Sequence, residues 1–153
     1  MVASELVSVL RGLSTGELDW PLLLFGAAGR GKTLAALCLC DIALSSVYHD
    51  AETLANWTMT KSPADMADVW GEVARKELAV LDEIGARAKV TDLGYTVVKQ
   101  FADVREKEGR VATIYITNLD PGELADLYDD RVASRLMAGT HFELKGADRR
   151  VTS

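Results

Sequence analysis

One glycine-rich segment constrains the fold of this chain more than any other feature of its sequence. It fits the phosphate-loop pattern G-x-x-x-x-G-K-[ST] at every fixed position, with Gly26 at its start and Gly31-Lys32-Thr33 at its end. The apolar run Leu22-Leu23-Leu24-Phe25 precedes it, and a helical-looking stretch begins at Leu34. Because this kind of loop joins a strand to a helix, the context predicts a strand–loop–helix unit.

The chemistry of the loop suits a nucleotide. Glycines let the backbone turn so that its N–H groups approach phosphate oxygens, and the helix N-terminus adds about half a positive charge. Lys32 can reach the β- and γ-phosphates, and the Thr33 hydroxyl can bind Mg²⁺. A chance glycine-rich turn is the alternative. We predict ATP or ADP with Mg²⁺ as cofactors, and the residues expected to bind them are Gly26, Ala27, Ala28, Gly29, Arg30, Gly31, Lys32, Thr33 and Leu34.

Size and composition favour a globular domain with a real core. The chain has 153 residues, of which 48% are hydrophobic. Its formal net charge of −6 argues against a large nucleic-acid surface on the monomer, although a basic stripe could become continuous in an oligomer. No apolar run approaches the roughly 20 residues of a membrane span, and the N-terminus lacks the basic start of a signal peptide. The cytoplasm is therefore the expected compartment.

The two cysteines, Cys38 and Cys40, stand two apart within a helical pattern. Side chains at that spacing point to different sides of a helix, which argues against a mutual disulfide or a zinc site. We expect both to be buried, reduced thiols.

Strand-like and helix-like segments alternate along the chain, which predicts an α/β fold. The expected architecture is a three-layer α/β/α P-loop NTPase domain with five mainly parallel strands in the order 5-1-4-3-2. Residues 1–15 are assigned to an N-terminal helix and 16–153 to the core, without a C-terminal lid domain. Residues 47–49 are predicted as a short strand, or else as part of a continuous helix. The other predicted strands are 22–25, 78–81, 111–116 and 140–144, and the predicted helices are 4–13, 32–46, 51–59, 63–76, 91–108, a short one from 121, and 131–137.

A second buried strand, Leu78-Ala79-Val80-Leu81, ends in two acids. A strand that is apolar along its length lies centrally in a parallel sheet, so its carboxyl end should stand beside the phosphate loop. We predict that Asp82 holds Mg²⁺ through water and that Glu83 orients or activates the attacking water. Alternatively, the two acids cap the next turn.

Three further polar residues follow the third buried strand. Asn118 would reach the γ-phosphate or the attacking water, unless it only caps the turn before Pro121. Arg131 and Arg135 share a helix face because they are four apart. They could point at the γ-phosphate of a neighbouring subunit, or else form surface ion pairs with Asp129 or Asp130.

Taken together, four segments in this order resemble the AAA+ ATPases of the helicase-loader group. That group includes the DnaC/DnaI-type loaders, the IstB-type transposition helpers and, further off, the DnaA initiators. The resemblance covers about residues 16–150. Its first two motifs occur in very many ATPases, whereas the later ones are more specific. The segments are residues 26–33, Leu81-Asp82-Glu83-Ile84-Gly85, Thr117-Asn118-Leu119 and Asp130-Arg131-Val132-Ala133-Ser134-Arg135-Leu136.

The resemblance implies a nucleotide switch that forms a helical or ring-like homo-oligomer, with ATP between subunits and single-stranded DNA often at the centre. It implies that Asn118 is a phosphate sensor and that Arg131 is the arginine supplied in trans, with Arg135 beside it. Arg149 or Arg150 would be a cis sensor. The chain departs from the family pattern in Ala27-Ala28 and in Arg30, and neither a preceding helicase-binding module nor a helical lid is expected.

The sequence therefore predicts an ATP-hydrolysing oligomeric switch that serves DNA replication through helicase loading, or DNA transposition. A replicative helicase or a transposase is the expected partner, with single-stranded DNA as a further one. Two alternatives remain open, namely a small P-loop kinase and an adaptor module that binds ATP without hydrolysing it. The segment between the nucleotide motifs, residues 53–76, carries only Lys61, Arg75 and Lys76 as cations, which would make a poor phosphate-clamping kinase lid.

Overall fold

A computed structural model describes residues 2–29, 31–86, 90–107 and 112–145, without the side chains of residues 2 and 3. Five strands form one sheet in the order β2-β3-β4-β1-β5, and each neighbouring pair is parallel. This confirms the predicted α/β architecture and strand order. The strands are β1 (Leu22–Phe25), β2 (Ser46–Asp50), β3 (Leu78–Ile84), β4 (Ala112–Thr117) and β5 (Thr140–Glu143).

Seven helices of the described part surround the sheet, and most lie where the sequence predicts them. They are α1 (Val2–Thr15), α2 (Gly31–Ile42), α3 (Ala51–Thr60), α4 (Pro63–Arg75), α5 (Asp92–Lys107), α6 (Pro121–Leu127) and α7 (Asp130–Leu136).

Two predicted boundaries are wrong. The helix expected over 32–46 ends at Ile42, because Ser46 begins β2 and its hydroxyl donates to the Cys40 carbonyl. A continuous helix is thereby excluded, and Asp50 caps α3 by accepting the Thr53 N–H. The strand expected to end at Leu81 continues through both acids to Ile84.

Two hydrophobic clusters cover the two faces of the sheet. Successive residues of β1 alternate between them, with Leu23 in one and Leu22 and Leu24 in the other. Helices α3 to α7 cover the Leu23 face, with α5 contributing Phe101, and helices α1 and α2 cover the opposite face. Because both faces are covered, the central strands β1, β3 and β4 are mainly apolar and buried, which is why the sequence reveals them.

A buried arginine ties one end of the sheet to its helices. Arg105, on α5, is 2% exposed, and its Nε donates to the Thr113 hydroxyl at 2.9 Å. Its two Nη atoms donate to four backbone carbonyls at the end of α4 and the starts of β3 and β4. These belong to Val73, Lys76, Glu77 and Ala112. No sequence pattern distinguishes Arg105 from a surface arginine near the end of a helix.

The cysteine prediction is correct in part. Both cysteines are free, but Cys38 is exposed and Cys40 is half-buried. Ala36 marks the buried side of α2, and a residue two positions further on lies on the opposite side of the helix. The expectation that Cys38 is buried was therefore wrong. Within the described residues, the helices are too short or too polar to cross a membrane.

Candidate nucleotide site

The phosphate loop joins β1 to α2, as predicted, and it packs against the residue that follows β5. Gly26 has a φ of +143°, and a Cβ there would lie 2.5 Å from the Leu144 carbonyl oxygen. A Cβ on Gly31 would lie 2.8 Å from the Leu144 Cδ2 atom. The Leu144 N–H donates to the Phe25 carbonyl at 2.8 Å, which holds this contact in place. Gly26 is thus required by the close approach of a backbone carbonyl, whereas Gly31 only faces the end of a leucine side chain, which can shift. Arg30 lies outside the described residues.

The Lys32 side chain lies along the loop. It is 3% exposed, and its Nζ donates to the carbonyls of Gly26 at 3.1 Å and Ala27 at 2.8 Å. The ammonium group is therefore held beside the N-terminus of α2, where both the helix and the amine favour an anion. The neighbouring Leu34 is exposed, so only its backbone is suited to line such a site.

Thr33 and Asp82 are in direct contact although 49 residues separate them. The Thr33 hydroxyl donates to Asp82 Oδ2 at 2.7 Å, and Asp82 is 3% exposed. One hydroxyl oxygen and one carboxylate are the hard oxygen ligands that Mg²⁺ prefers, usually together with several waters. The donor set at this point therefore fits a magnesium ion bound with a nucleotide phosphate.

Tyr48, on β2, also contacts this carboxylate. Its hydroxyl donates to Asp82 Oδ2 at 2.5 Å. Burial, followed by the hydrogen bond to Asp82 and the nearby carboxylates, raises the pKa of the Tyr48 hydroxyl far above its ordinary value. Tyr48 therefore remains a neutral donor. Sequence reasoning missed Tyr48 because its partner, Asp82, lies 34 positions further along the chain.

A bulge separates the side chains of Asp82 and Glu83. The register of β3 on β4 shifts between Leu81 and Ile84, and Glu83 has a φ of 56°, in the left-handed region. Asp82 stays buried, facing α2, while Glu83 is exposed at the strand end. The Asp82 Oδ1 atom accepts the Glu83 N–H at 2.6 Å. The two acids are therefore adjacent but differently placed, and the contacts of Asp82 with Thr33 and Tyr48 show that Asp82 is more than a turn cap.

Glu83 stands among other acids. Partial burial raises the pKa of the Glu83 carboxyl, and the charges of Asp82, Asp50 and Glu52 raise it further, in that order. Glu83 also lines a cavity of about 300 Å³ between α3 and α5. A raised pKa makes this carboxylate a better proton acceptor than an isolated glutamate.

Asn118 follows β4, which lies between β1 and β3 as predicted. It is exposed, and it borders an open depression that also includes Gly85. The cap of α6 is Asp120, whose carboxylate accepts the Glu123 N–H at 2.8 Å. Asp120 is therefore the N-cap of α6, and the contact of Asn118 with phosphate or water stays a prediction.

The two arginines of α7 differ in their surroundings. Arg135 forms an ion pair with Asp103 of α5, and its Nε lies 4.0 Å from Glu106. The alternative of a surface ion pair thus describes Arg135, but with partners on α5 instead of Asp129 or Asp130. Arg131 is exposed in the first turn of α7.

Asp129 organises the start of that helix. Its carboxylate accepts the Val132 N–H at 2.9 Å and the Tyr95 hydroxyl at 2.7 Å. These hydrogen bonds, the backbone one foremost, lower the pKa of the Asp129 carboxyl. The N-terminal turn carrying Arg131 is consequently fixed to α5, whereas the proposed cis sensors Arg149 and Arg150 lie outside the described residues.

Comparison with known proteins identifies the fold. No family model and no curated protein matches this chain. Among solved structures, DnaI aligns with 25% identity and a TM-score of 0.64 over 84% of this chain and 72% of that one. The DnaC helicase loader aligns with 16% identity and a TM-score of 0.65 over 81% of this chain and 77% of its own.

A DnaA structure from Aquifex aeolicus, bound to AMPPCP, aligns with 20% identity and a TM-score of 0.68. The alignment covers 90% of this chain but 44% of that one, so this chain spans less than half the length of DnaA. The chain therefore has an AAA+ fold of the helicase-loader type.

Proposed function

We propose that this protein is an oligomeric ATPase that acts as a nucleotide switch in DNA replication. The observation that carries the proposal is the hydrogen bond from Thr33 to Asp82, since it joins the glycine loop to the acidic end of β3. An ATPase needs those two elements side by side, one for phosphate and one for the metal. The likeness to a DnaA structure that holds AMPPCP supports nucleotide as the ligand.

In this proposal each predicted residue has a defined task. The backbone of the loop and the Lys32 ammonium bind phosphate, and Thr33 and Asp82 hold Mg²⁺. The metal, when bound, neutralises charge on the phosphate oxygens. Glu83, exposed and with a raised pKa, orients or deprotonates the attacking water. Asn118, at the end of the strand between β1 and β3, contacts the γ-phosphate or that water.

The proposed site is completed by a second copy of the chain. Arg131 is the better candidate for the arginine supplied in trans, because it is exposed whereas Arg135 is engaged with Asp103 in its own chain. An arginine at the transferring phosphoryl group accelerates reaction by about 10³- to 10⁵-fold in well-studied enzymes. We therefore propose a homo-oligomer with nucleotide between subunits.

The partners belong to the same proposal. One similar structure is a replication initiator DnaA bound to AMPPCP and single-stranded DNA, and another is the DnaC helicase loader. We propose a replicative helicase as the protein partner and single-stranded DNA as a direct or indirect ligand, with transposition as the second setting. A cytoplasmic location is part of this proposal.

Phosphate release from ATP, measured per subunit across a wide range of protein concentration, tests the proposal. We expect the rate to climb with concentration, and more steeply with single-stranded DNA, because the site is shared between subunits. Lys32→Ala should abolish nucleotide binding, whereas Lys99→Ala, which removes a half-buried lysine of α5 paired with Asp103, should not.

Three outcomes would contradict it. Unchanged ATP affinity in Lys32→Ala would remove the phosphate-loop assignment. Transfer of phosphate to a small acceptor in preference to water would favour a kinase. Binding of ATP without any turnover, at every protein concentration and with DNA present, would favour an adaptor module.

A further inference from the structure

The parallel pairing of β2 with β3 places Tyr48 within reach of Asp82. Tyr48 is opposite Val80, and Asp50 is opposite Asp82. Side chains two apart on a strand share a face, so Tyr48, Val80 and Asp82 all face α2. A tyrosine is long enough to cross diagonally to a residue two positions along the neighbouring strand.

Three donors surround the Asp82 carboxylate. Oδ2 accepts the hydroxyls of Tyr48 at 2.5 Å and Thr33 at 2.7 Å, and Oδ1 accepts the N–H of Glu83. A carboxylate that is 3% exposed requires such hydrogen bonds, because burial otherwise disfavours its charged form. These three donors are two hydroxyls and one backbone N–H, so none of these contacts brings a cation to Asp82. Asp50 and Glu83 are themselves acidic.

We propose that Tyr48 is a positioning residue that orients Asp82 for Mg²⁺. The inference rests on the proposed function, and it adds a residue that neither the motifs nor the comparisons assign. A neutral donor fixes the direction of the carboxylate and leaves its negative charge for the metal, which a lysine or arginine would offset. The Thr33 hydroxyl, by donating its own proton to the same oxygen, keeps its lone pairs for the ion.

A structural role alone would have a different signature. Tyr48 packs at the edge of the cluster formed by α1, α2 and the sheet. Phenylalanine at this position would keep that packing and remove only the hydroxyl. Tyr115→Phe is a matched control, because Tyr115 lies on the opposite face of the sheet, against Phe101.

The experiment is calorimetric titration of ADP, first with EDTA and then at a series of Mg²⁺ concentrations. For Tyr48→Phe we expect metal-free ADP affinity within about twofold of wild type. The Mg²⁺ concentration that gives half of the metal-dependent gain in affinity should rise about tenfold, the lower end for loss of an outer-shell partner. Tyr115→Phe should match wild type in both measurements.

Two results would overturn the role of Tyr48. One is an unchanged Mg²⁺ dependence in Tyr48→Phe, and the other is an equal loss of affinity with and without metal. Wild-type protein that binds no ADP under either condition would overturn the proposed function and this inference together. If wild type binds ADP with a clear Mg²⁺ dependence and Tyr48→Phe keeps the same dependence, only the role of Tyr48 is overturned.

Discussion

The N–H of Gly85 donates a 3.1 Å hydrogen bond to the hydroxyl of Tyr128. Gly85 follows Glu83 by two residues, and Tyr128 stands at the corner between α6 and α7, directly before the cap of the helix that carries Arg131. The end of β3 and the arginine-bearing helix are therefore joined by one side chain. The same strand end is also held to β4, because the Thr117 hydroxyl donates to the Ile84 carbonyl at 2.6 Å.

We predict that Tyr128→Phe lowers ATP turnover several-fold while nucleotide affinity changes little. The variant leaves the Gly85 N–H without its tyrosine acceptor and loosens the strand end that positions Glu83. Loss of a hydrogen bond of this kind costs about 1 kcal/mol of stability. Single-turnover phosphate release, with ADP affinity measured in parallel, checks the prediction. A drop in affinity as large as the drop in rate would contradict it.

Arg131→Ala should leave ATP binding intact and lower turnover about 10³-fold or more, since Arg131 is proposed to act on the neighbouring subunit. Asp82→Ala should be inactive for a different reason, namely loss of the metal ligand. Mixing the two inactive proteins would pair an intact Arg131 with an intact acid in a fraction of the shared sites. Recovery of phosphate release in the mixture is the expected result, and its absence would count against a site in trans.

The acids around Glu83 predict a specific pH dependence. Because its carboxyl pKa is raised above the ordinary value of 4.5, turnover should fall on acidification at a pH above that value. Glu52→Gln removes one of the charges that raise the pKa, so it should move this acid limb to lower pH. Glu77→Gln, at the far end of β3, is the control and should not move it.

The same shift has a consequence for stability. A carboxyl whose pKa is higher in the folded than in the unfolded state binds protons more readily when folded, so its contribution is favourable at low pH and is lost as pH rises. Glu83→Gln should therefore unfold at a higher temperature than wild type at pH 7, and the difference should shrink below about pH 4.5. Thermal unfolding of Glu83→Gln and wild type, at pH 7 and at a pH below about 4.5, measures this difference.

Arg105→Lys should destabilise the fold by about 2–4 kcal/mol, because a compact ammonium group cannot reproduce the fork that reaches four carbonyls and the Thr113 hydroxyl. Arg75→Lys, at an exposed position of α4, should be nearly neutral. Urea unfolding of the two variants and of wild type checks this, and a wild-type stability of Arg105→Lys would show that lysine can replace Arg105.

Much of this fold is readable from the sequence because burial on both sheet faces leaves a local trace. The run Leu22–Phe25 and the core of β3 are apolar without interruption, and Asp50 is a local capping signal for α3. The α2 boundary was misplaced because the residues after Ile42 remain compatible with a helix until the pairing of β2 competes for them.

Parts of the candidate site depend on distant contacts and leave no such trace. Tyr48 contacts Asp82, which lies 34 positions further along the chain, and no sequence pattern around Tyr48 predicts that contact. In the sequence, Arg105 resembles a surface residue in the last turn of a helix. Its burial is explained by backbone carbonyls from other segments of the chain, which accept its hydrogen bonds. The apolar pattern stops at Leu81, so it predicted a strand that ends too early. The bulge at Glu83 belongs to the pairing of β3 with β4, which the local sequence does not reveal.

Because the backbone at Glu83 is left-handed, selection for folding and selection for turnover should favour different residues at this position. Glycine adopts a φ near 56° freely, whereas a residue with a Cβ is strained there by about 1–2 kcal/mol. In a library of variants at position 83 selected for folding alone, glycine should therefore accumulate. In the same library selected for turnover, glutamate should return. The divergence between the two populations would measure how much stability the protein forgoes to keep a carboxylate at the end of that strand.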